Sequence, residues 1–102
     1  GLEVLGRKSD TWIPVAPRIG EIVVNSGDLM ERWTNGRFRS TCHRVQPRTG
    51  SGDRYSLALF LDPDDAVEVS CLPSCVSEQN PARYPPTTAG EQILAKLRAS
   101  HR

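Results

Sequence analysis

The sequence has little net charge, few aromatic residues and no long apolar run. Thirteen lysines and arginines are matched by twelve aspartates and glutamates, so the 102 residues carry a formal net charge of +1. This balance gives no overall field for holding nucleic acid or an anionic membrane. The apolar runs are a few residues long, whereas a helix needs roughly 20 apolar residues to cross a bilayer. The composition therefore predicts one domain with no membrane partner and no nucleic-acid partner.

Cysteine is also scarce, at three residues: Cys42, Cys71 and Cys75. An odd number, with no export signal at the start of the sequence, favours a reducing compartment, the cytoplasm, over a disulfide scaffold. The C-x-x-x-C spacing of the last two could be half of a zinc site. Because only His43 and His101 could complete such a site, we expect three partly buried thiols instead.

Short runs of β-forming residues alternate with turn residues through most of the chain, which predicts a mainly β protein of the sandwich or barrel type. An S/T-x-x-E capping box at residues 88–91 predicts a helix near the C-terminus. Residues 1–70 are predicted to form the β-rich part, and residues 71–102 a Pro-rich linker and the C-terminal helix. The predicted strands cover residues 2–5, 12–15, 22–24, 38–45, 54–61 and 67–70, and the predicted helices residues 29–34 and 92–99.

Residues 54–61 give the clearest strand pattern, with eight residues and no breaker. Alternate positions from Tyr55 to Leu61 are large and apolar, which predicts a face packed on the core. The opposite face begins with Arg54 and Ser56 and ends with Phe60. Its mixture of charged, small and aromatic side chains suits the lining of a cavity.

His43 is the one histidine inside a predicted element, and it is therefore the first candidate for a metal ligand or a general base. Eleven positions later comes Arg54, followed by Ser56. If residues 38–45 and 54–61 pair as a hairpin, the imidazole and this pair open onto one pocket. A planar guanidinium matches a carboxylate bidentately, and a nearby hydroxyl can donate a third bond. The competing interpretations are a structural histidine and a surface ion pair of Arg54 with a neighbouring aspartate.

Four motifs occur in a characteristic order and spacing: N-x-G-D at 25–28, W-T-N-G at 33–36, S-x-x-H-R-V at 40–45 and R-x-S at 54–56. Together they closely resemble the carboxy-terminal half of the jelly-roll core, a double-stranded β-helix, of Fe(II)/2-oxoglutarate-dependent dioxygenases. Within that superfamily the chain looks like the isopenicillin N synthase-like branch, which includes plant hormone and flavonoid oxygenases. The resemblance extends over nearly the whole chain.

The resemblance implies a role for three residues. His43 matches the distal histidine of the 2-His-1-carboxylate triad, which leaves positions on the metal open. Arg54 and Ser56 match the pair that binds the far carboxylate of 2-oxoglutarate. The implied cofactors are Fe(II) and 2-oxoglutarate as cosubstrate, with ascorbate as a further cofactor to be tested. The implied activity couples oxidative decarboxylation of 2-oxoglutarate to hydroxylation, desaturation or ring closure of a small organic substrate.

The sequence departs from the family pattern in one respect, because it contains no H-x-D pair to supply the other two ligands. We therefore expect a carboxy-terminal piece of an oxygenase that is inactive by itself and whose partner is the missing amino-terminal part. Exposed sheet edges would then favour self-association.

Three alternatives stay open. The missing ligand pair is also consistent with a non-enzymatic β-rich interaction module derived from the same fold. Isopenicillin N synthase itself uses its R-x-S pair for the carboxylate of a peptide substrate, so Arg54 and Ser56 could bind a substrate instead of 2-oxoglutarate. Six arginines between residues 32 and 54 suggest nucleic-acid binding, but strand alternation scatters them over different faces.

Overall fold

The structure, a computed structural model, describes residues 1–47, 49–50 and 52–101. Residues 48, 51 and 102 lie outside the described residues. The chain forms two compact units. The sheet unit consists of residues 1–25 and 41–58, and the helical unit consists of residues 26–40 and the chain from Leu59 onward. The division predicted near residue 70 stays a prediction.

The sheet unit contains one antiparallel three-stranded sheet with the order β2-β1-β3. Its strands are β1 (Leu2–Leu5), β2 (Trp12–Pro14) and β3 (His43–Val45). The turn between β1 and β2 is closed by the amide of Gly6, which donates to the carbonyl of Thr11 at 2.8 Å. Asp10 has a φ of 51° in this turn, a left-handed conformation that aspartate tolerates better than most residues. The predicted first two strands are thus confirmed.

The register of this sheet decides which side chains share a face. Val4 lies opposite both His43 and Ile13, while Glu3 lies opposite Arg44. Because successive side chains of a strand alternate between faces, His43 shares one face with Val4 and Ile13, and Arg44 shares the other with Glu3.

The helical unit contains α1 (Asp28–Trp33), β4 (Glu68–Val69), β5 (Thr87–Thr88) and α2 (Ala89–Ser100), with a short 3-10 turn at Pro73–Cys75. The capping box is present as predicted. The Thr88 hydroxyl accepts from the Glu91 amide at 3.2 Å, and the Glu91 carboxylate accepts from the Thr88 amide at 3.3 Å. These bonds satisfy amides at the helix start that have no intrahelical partner.

Helix α1 ends at Trp33, and the chain then turns where Asn35 has a φ of 51° and Gly36 a φ of 81°. Asn35 is 1% exposed, and its amide is the polar centre of the helical unit. Its Oδ1 accepts from the amide of Arg83 at 2.9 Å and from the thiol of Cys71 at 3.6 Å. Its Nδ2 donates toward the carbonyl oxygens of Cys75, Asn80 and Pro81 at 3.1–3.2 Å.

Glu31 connects α1 to two other segments of the helical unit. One carboxylate oxygen accepts from the Tyr84 hydroxyl at 2.9 Å, and the other accepts from the backbone amide of Ser40. The bond to Glu31 is the main reason that the pKa of Tyr84 is raised, because the phenol gives up a favourable contact when it ionises. The carboxylate thus holds a loop and a linker against one helix.

The structure corrects several predicted strands. Residues 54–61 form no strand, and neither do residues 22–24 or 38–42. The side chains predicted to form a core face are exposed, with Leu57 at 102%, Leu59 at 91% and Leu61 at 95%. A strand needs a backbone partner to satisfy its ladder, and the described residues supply none for these segments. The hydrophobic pattern of the sequence could not show that these segments have no partner strand among the described residues.

We predict that Asn35→Ala destabilises the helical unit by about 3 kcal/mol, because several buried backbone groups lose their partner. Urea unfolding of wild type and variant measures the difference. Gln79→Ala is the matched control, since Gln79 is exposed in the same unit; it should change the free energy of unfolding by less than about 0.5 kcal/mol. Equal stability of the Asn35 variant and the control would contradict the role given to the amide.

A second prediction concerns the ion pair between Asp28 of α1 and Lys96 of α2, whose charged atoms lie 2.7 Å apart. The hydrogen bond to Lys96 is the main reason that the pKa of Asp28 lies below its ordinary value of 3.8. A lowered carboxyl pKa stabilises the fold above the unfolded pKa, and this contribution is lost as the pH falls through the folded value.

We therefore expect Asp28→Asn to lower the free energy of unfolding at pH 7 by up to about 1 kcal/mol, a small effect because the pair is partly exposed. The difference from wild type should shrink as the pH falls below the ordinary carboxyl pKa and vanish only below the lowered pKa of folded Asp28. Chemical unfolding at a series of pH values measures it, with exposed Glu78→Gln as the control. A difference that persists unchanged in strong acid would rule out the ion pair as its cause.

Candidate functional site

His43 lies at the start of β3, exposed on the face that it shares with Val4. Its Nδ1 lies 3.0 Å from the carbonyl oxygen of Thr41. A carbonyl oxygen only accepts hydrogen bonds, so Nδ1 carries the proton. In the neutral ring this leaves the lone pair on Nε2, which is the form in which histidine binds a metal while its other nitrogen is held by the backbone. The geometry of His43 thus fits one metal ligand.

Arg54 lies beside the end of the β1–β3 ladder. An atom at the Cβ position of Gly1 would lie 3.7 Å from Arg54 Nε and 3.6 Å from Val45 Cγ1. Val45 follows His43 by two positions on β3, a separation of roughly 7 Å along a strand. The arginine side chain therefore lies near the strand that carries the histidine. Of the described residues, none forms an ion pair with Arg54, so the predicted alternative of a surface pair with Asp53 or Asp62 is not observed.

The predicted hairpin between residues 38–45 and 54–61 does not form, because β3 pairs with β1 instead. Arg54 reaches β3 from an irregular segment. Ser56 lies on the same segment with its side chain exposed and makes no hydrogen bond to the described residues. The structure thus brings Arg54 close to the strand of His43 and gives Ser56 no defined partner.

The other candidate ligands have structural roles in the helical unit. His101 Nδ1 lies 2.7 Å from the carbonyl oxygen of Leu97, in the last turn of α2. Cys71 donates to the Asn35 amide, and Cys75 is a free thiol beside Ser74. Within the described ranges, no group of three or more His, Cys, Asp or Glu side chains could hold a metal ion. His43 therefore offers a single ligand to a metal.

The sequence pattern did not single out Arg44, the neighbour of His43 on β3. In the structure its Nε lies 2.8 Å from Glu3 Oε2, and its guanidinium lies 4.0 Å above the centre of the Trp12 ring. The three residues are separated by up to 41 positions in the sequence. Only knowledge of the register between β1 and β3 could have predicted their contact.

Neither helix in the described part of the chain has the length and apolar character needed to cross a bilayer. In the part of the chain that the structure describes, the sheet unit combines an antiparallel ladder, an imidazole with Nε2 available and an arginine, Arg54, without an acidic partner.

Comparison with known proteins identifies the family. The profile of the 2OG-Fe(II) oxygenase superfamily matches residues 1–63. The chain belongs to this superfamily. The expected family and the mainly β, jelly-roll fold class with a C-terminal helix are thereby confirmed.

Individual relatives agree with this assignment. Kihadalactone A synthase from Citrus sinensis is 40% identical over 101 residues, covering 96% of this chain and 29% of its own length. The 2-oxoglutarate-Fe(II) type oxidoreductase hxnY of Emericella nidulans is 37% identical over 101 residues, covering 99% of this chain and 29% of its own. The chain thus spans less than a third of the length of these relatives.

Solved structures show the same fold. A 2OG-Fe(II) oxygenase family protein from Caulobacter crescentus is 41% identical with a TM-score of 0.87, covering 97% of this chain and 33% of the other. The rice dioxygenase for auxin oxidation is 30% identical with a TM-score of 0.77, covering 98% of this chain and 34% of the other. Both similarities extend over nearly all of the present chain.

We predict that the ring of His43 carries its proton on Nδ1 when no metal is bound and the ring is neutral. Two-dimensional NMR of the histidine ring nitrogens measures this directly, because protonated and unprotonated nitrogens have widely separated shifts. We expect the unprotonated signal at Nε2, since the Thr41 carbonyl holds the proton on the other nitrogen. A dominant Nε2–H form would contradict the ligand orientation described above.

Proposed function

We propose that this chain is the part of a 2-oxoglutarate-dependent Fe(II) dioxygenase that supplies one metal ligand and the cosubstrate anchor. His43 is the ligand, through Nε2, and Arg54 with Ser56 binds the far carboxylate of 2-oxoglutarate. The observation that carries the proposal is the bond between His43 Nδ1 and the Thr41 carbonyl, in a chain that belongs to the oxygenase superfamily. This bond orients the imidazole before any metal arrives.

Arg54 suits its role because its guanidinium has no carboxylate partner among the described residues. An arginine that already forms an ion pair would have to break that pair before binding a ligand. A planar guanidinium without such a pair can instead donate two parallel hydrogen bonds to a carboxylate. The exposed hydroxyl of Ser56, two residues later, can donate a third bond.

The remaining two ligands have to come from residues outside these 102, because the sequence contains no H-x-D pair. We propose that they belong to an amino-terminal part of the same protein. The exposed apolar run from Tyr55 to Leu61 and the outer strand β3 are the surfaces that would pair with that part. On its own, a chain with these surfaces uncovered should self-associate.

Iron held by such a triad supplies the redox chemistry of the reaction. For a hydroxylation, the substrate C–H bond, 2-oxoglutarate and O₂ give the substrate alcohol, succinate and CO₂. One oxygen atom enters the alcohol and the other enters the new carboxylate of succinate. The residues of this chain bind and orient: His43 holds one position on the metal, and Arg54 fixes the far end of the cosubstrate.

The substrate is proposed as a small organic molecule, to be hydroxylated, desaturated or cyclised. Relatives whose names denote different activities, such as azadirone synthase from Melia azedarach and 1-aminocyclopropane-1-carboxylate oxidase 1 from rice, are 41% and 37% identical to the chain. Similarity at this level supports the reaction class and does not select one substrate. Ascorbate as a further cofactor and a cytoplasmic location, suggested by three free cysteines, belong to the same proposal.

The test is an anaerobic calorimetric titration of the full-length protein with Mn(II), in place of iron, and with 2-oxoglutarate. Arg54→Met should raise the dissociation constant for 2-oxoglutarate at least about tenfold, because hydrogen bonds to a charged group contribute about 1.5–3 kcal/mol. Arg18→Met is the matched control, since Arg18 lies in the same unit in an exposed pair with Glu21. It should leave the affinity unchanged.

His43→Gln should abolish tight Mn(II) binding, whereas His101→Gln, in the helical unit, should not. Unchanged affinity for 2-oxoglutarate in the Arg54 variant would overturn the cosubstrate assignment and favour a substrate carboxylate at this position. If the full-length wild type binds neither metal nor 2-oxoglutarate, the oxygenase proposal fails. The interaction-module interpretation would then take its place.

A further inference from the structure

We propose that Arg44 is a positioning residue for His43, and that its contacts with Glu3 and Trp12 lock the strand register that presents the imidazole. This inference rests on the proposed function, because it assigns a purpose to the orientation of the metal ligand. The group formed by these three side chains, called the register lock below, lies on the face of the sheet opposite His43. Within the described residues, its three side chains form no hydrogen bond, ion pair or ring contact with His43 or Arg54.

The register lock extends across all three strands. Arg44 belongs to β3, Glu3 to the central strand β1 and Trp12 to β2. The Arg44 Nε donates to Glu3 Oε2 at 2.8 Å, a length typical of a charge-assisted hydrogen bond. The same guanidinium lies 4.0 Å from the centre of the Trp12 ring, well within the range of a cation–π contact. One side chain is therefore held by both other strands.

The contacts of Arg44 matter because few other side-chain interactions fix which residues of β3 lie opposite which residues of β1. It has three residues, all of them exposed. Val45, its one apolar residue, is 49% exposed, so apolar packing on one face can select the register only weakly. An ion pair between directly opposite residues selects it more sharply, because a slip of one residue moves Arg44 away from Glu3.

A slip of one residue would also displace the proposed metal ligand. Since the side-chain period of a strand is two, it would turn His43 to the opposite face of the sheet. The contact of Nδ1 with the Thr41 carbonyl lies within the slipping segment itself and would move with it. Keeping Arg44 opposite Glu3 therefore keeps His43 on the face of Val4.

The chemistry of the lock requires arginine in particular. A guanidinium can donate through Nε to one side while its plane stacks on an aromatic ring. A lysine ammonium could keep the attraction to Glu3 but would lose the planar contact with Trp12. We therefore expect Arg44→Lys to retain part of the function of Arg44, and Arg44→Met to retain little.

The experiment uses the full-length protein and measures two quantities, at a temperature well below unfolding. The first is the dissociation constant for Mn(II) alone, by electron paramagnetic resonance. The second is the strand register without metal, from cross-strand proton contacts between Val4 and His43 in NMR spectra. Loss of global stability alone would change neither quantity in the folded molecules.

We expect Arg44→Met to raise the Mn(II) dissociation constant about tenfold, the lower end of what loss of a ligand-orienting contact costs. Its contacts between Val4 and His43 should weaken or disappear. Arg44→Lys and Glu3→Gln should lie between this variant and wild type. Arg18→Met, which removes an arginine from an exposed pair outside the strands, should match wild type in both measurements.

Wild-type Mn(II) affinity together with unchanged contacts in Arg44→Met would overturn the inference. If Arg44→Met does not fold, the same two measurements on Glu3→Gln and Arg44→Lys test the inference. Each of these substitutions leaves a polar side chain that can still contact the unchanged partner. Failure of the proposed function is distinguishable: wild type would then bind no Mn(II), while the NMR contacts would still show whether Arg44 sets the register.

Discussion

The backbone ladder on both sides of β1 is the constraint on which the sheet unit depends. Strand Leu2–Leu5 pairs with Trp12–Pro14 on one side and with His43–Val45 on the other. Backbone amides and carbonyls have to be paired wherever water is excluded, so a segment becomes a strand only where a neighbour offers a ladder. Residues 22–24 and 54–61 have the composition of strands, and without a neighbouring ladder among the described residues they stay irregular.

The helical unit depends on a different kind of constraint, a single buried amide. At the point where α1 ends, Asn35 forms hydrogen bonds with four backbone groups of residues 75–83. A side-chain amide suits this position because it can donate and accept at the same time. Its left-handed backbone conformation, common for asparagine, makes the sharp change of direction at the end of the helix. Few apolar side chains are fully buried here, so polar contacts contribute an unusual share of the order.

The candidate site combines a histidine whose ring is held in one orientation with an arginine that lacks a carboxylate partner among the described residues. A backbone carbonyl holds the imidazole of His43, and the opposite face of the same strand is held by the register lock. Among the described residues, Arg54 has no carboxylate partner, which leaves its charge available for a ligand. The two residues therefore differ in how far they are prepared: the proposed metal ligand is oriented within this chain, whereas the proposed carboxylate anchor would gain its partner only on binding.

Short sequence patterns were sufficient to predict those helices and strands that are stabilised by contacts between residues close in sequence. The capping box at residues 88–91 predicted α2, and the short runs at residues 2–5 and 12–15 predicted β1 and β2. All of these depend on contacts between residues a few positions apart, which composition and spacing describe well. The motifs around His43 and Arg54 likewise identified the superfamily.

What the sequence by itself determined is therefore the family, the fold class and the presence of both helices. Only the tertiary structure decided that β3 pairs with β1 rather than with residues 54–61, and that Arg44 meets Glu3 and Trp12. The physical reason is the same in each case. Strand pairing joins residues about forty positions apart, and the choice of partner depends on which backbone is within reach, a property that no local pattern encodes.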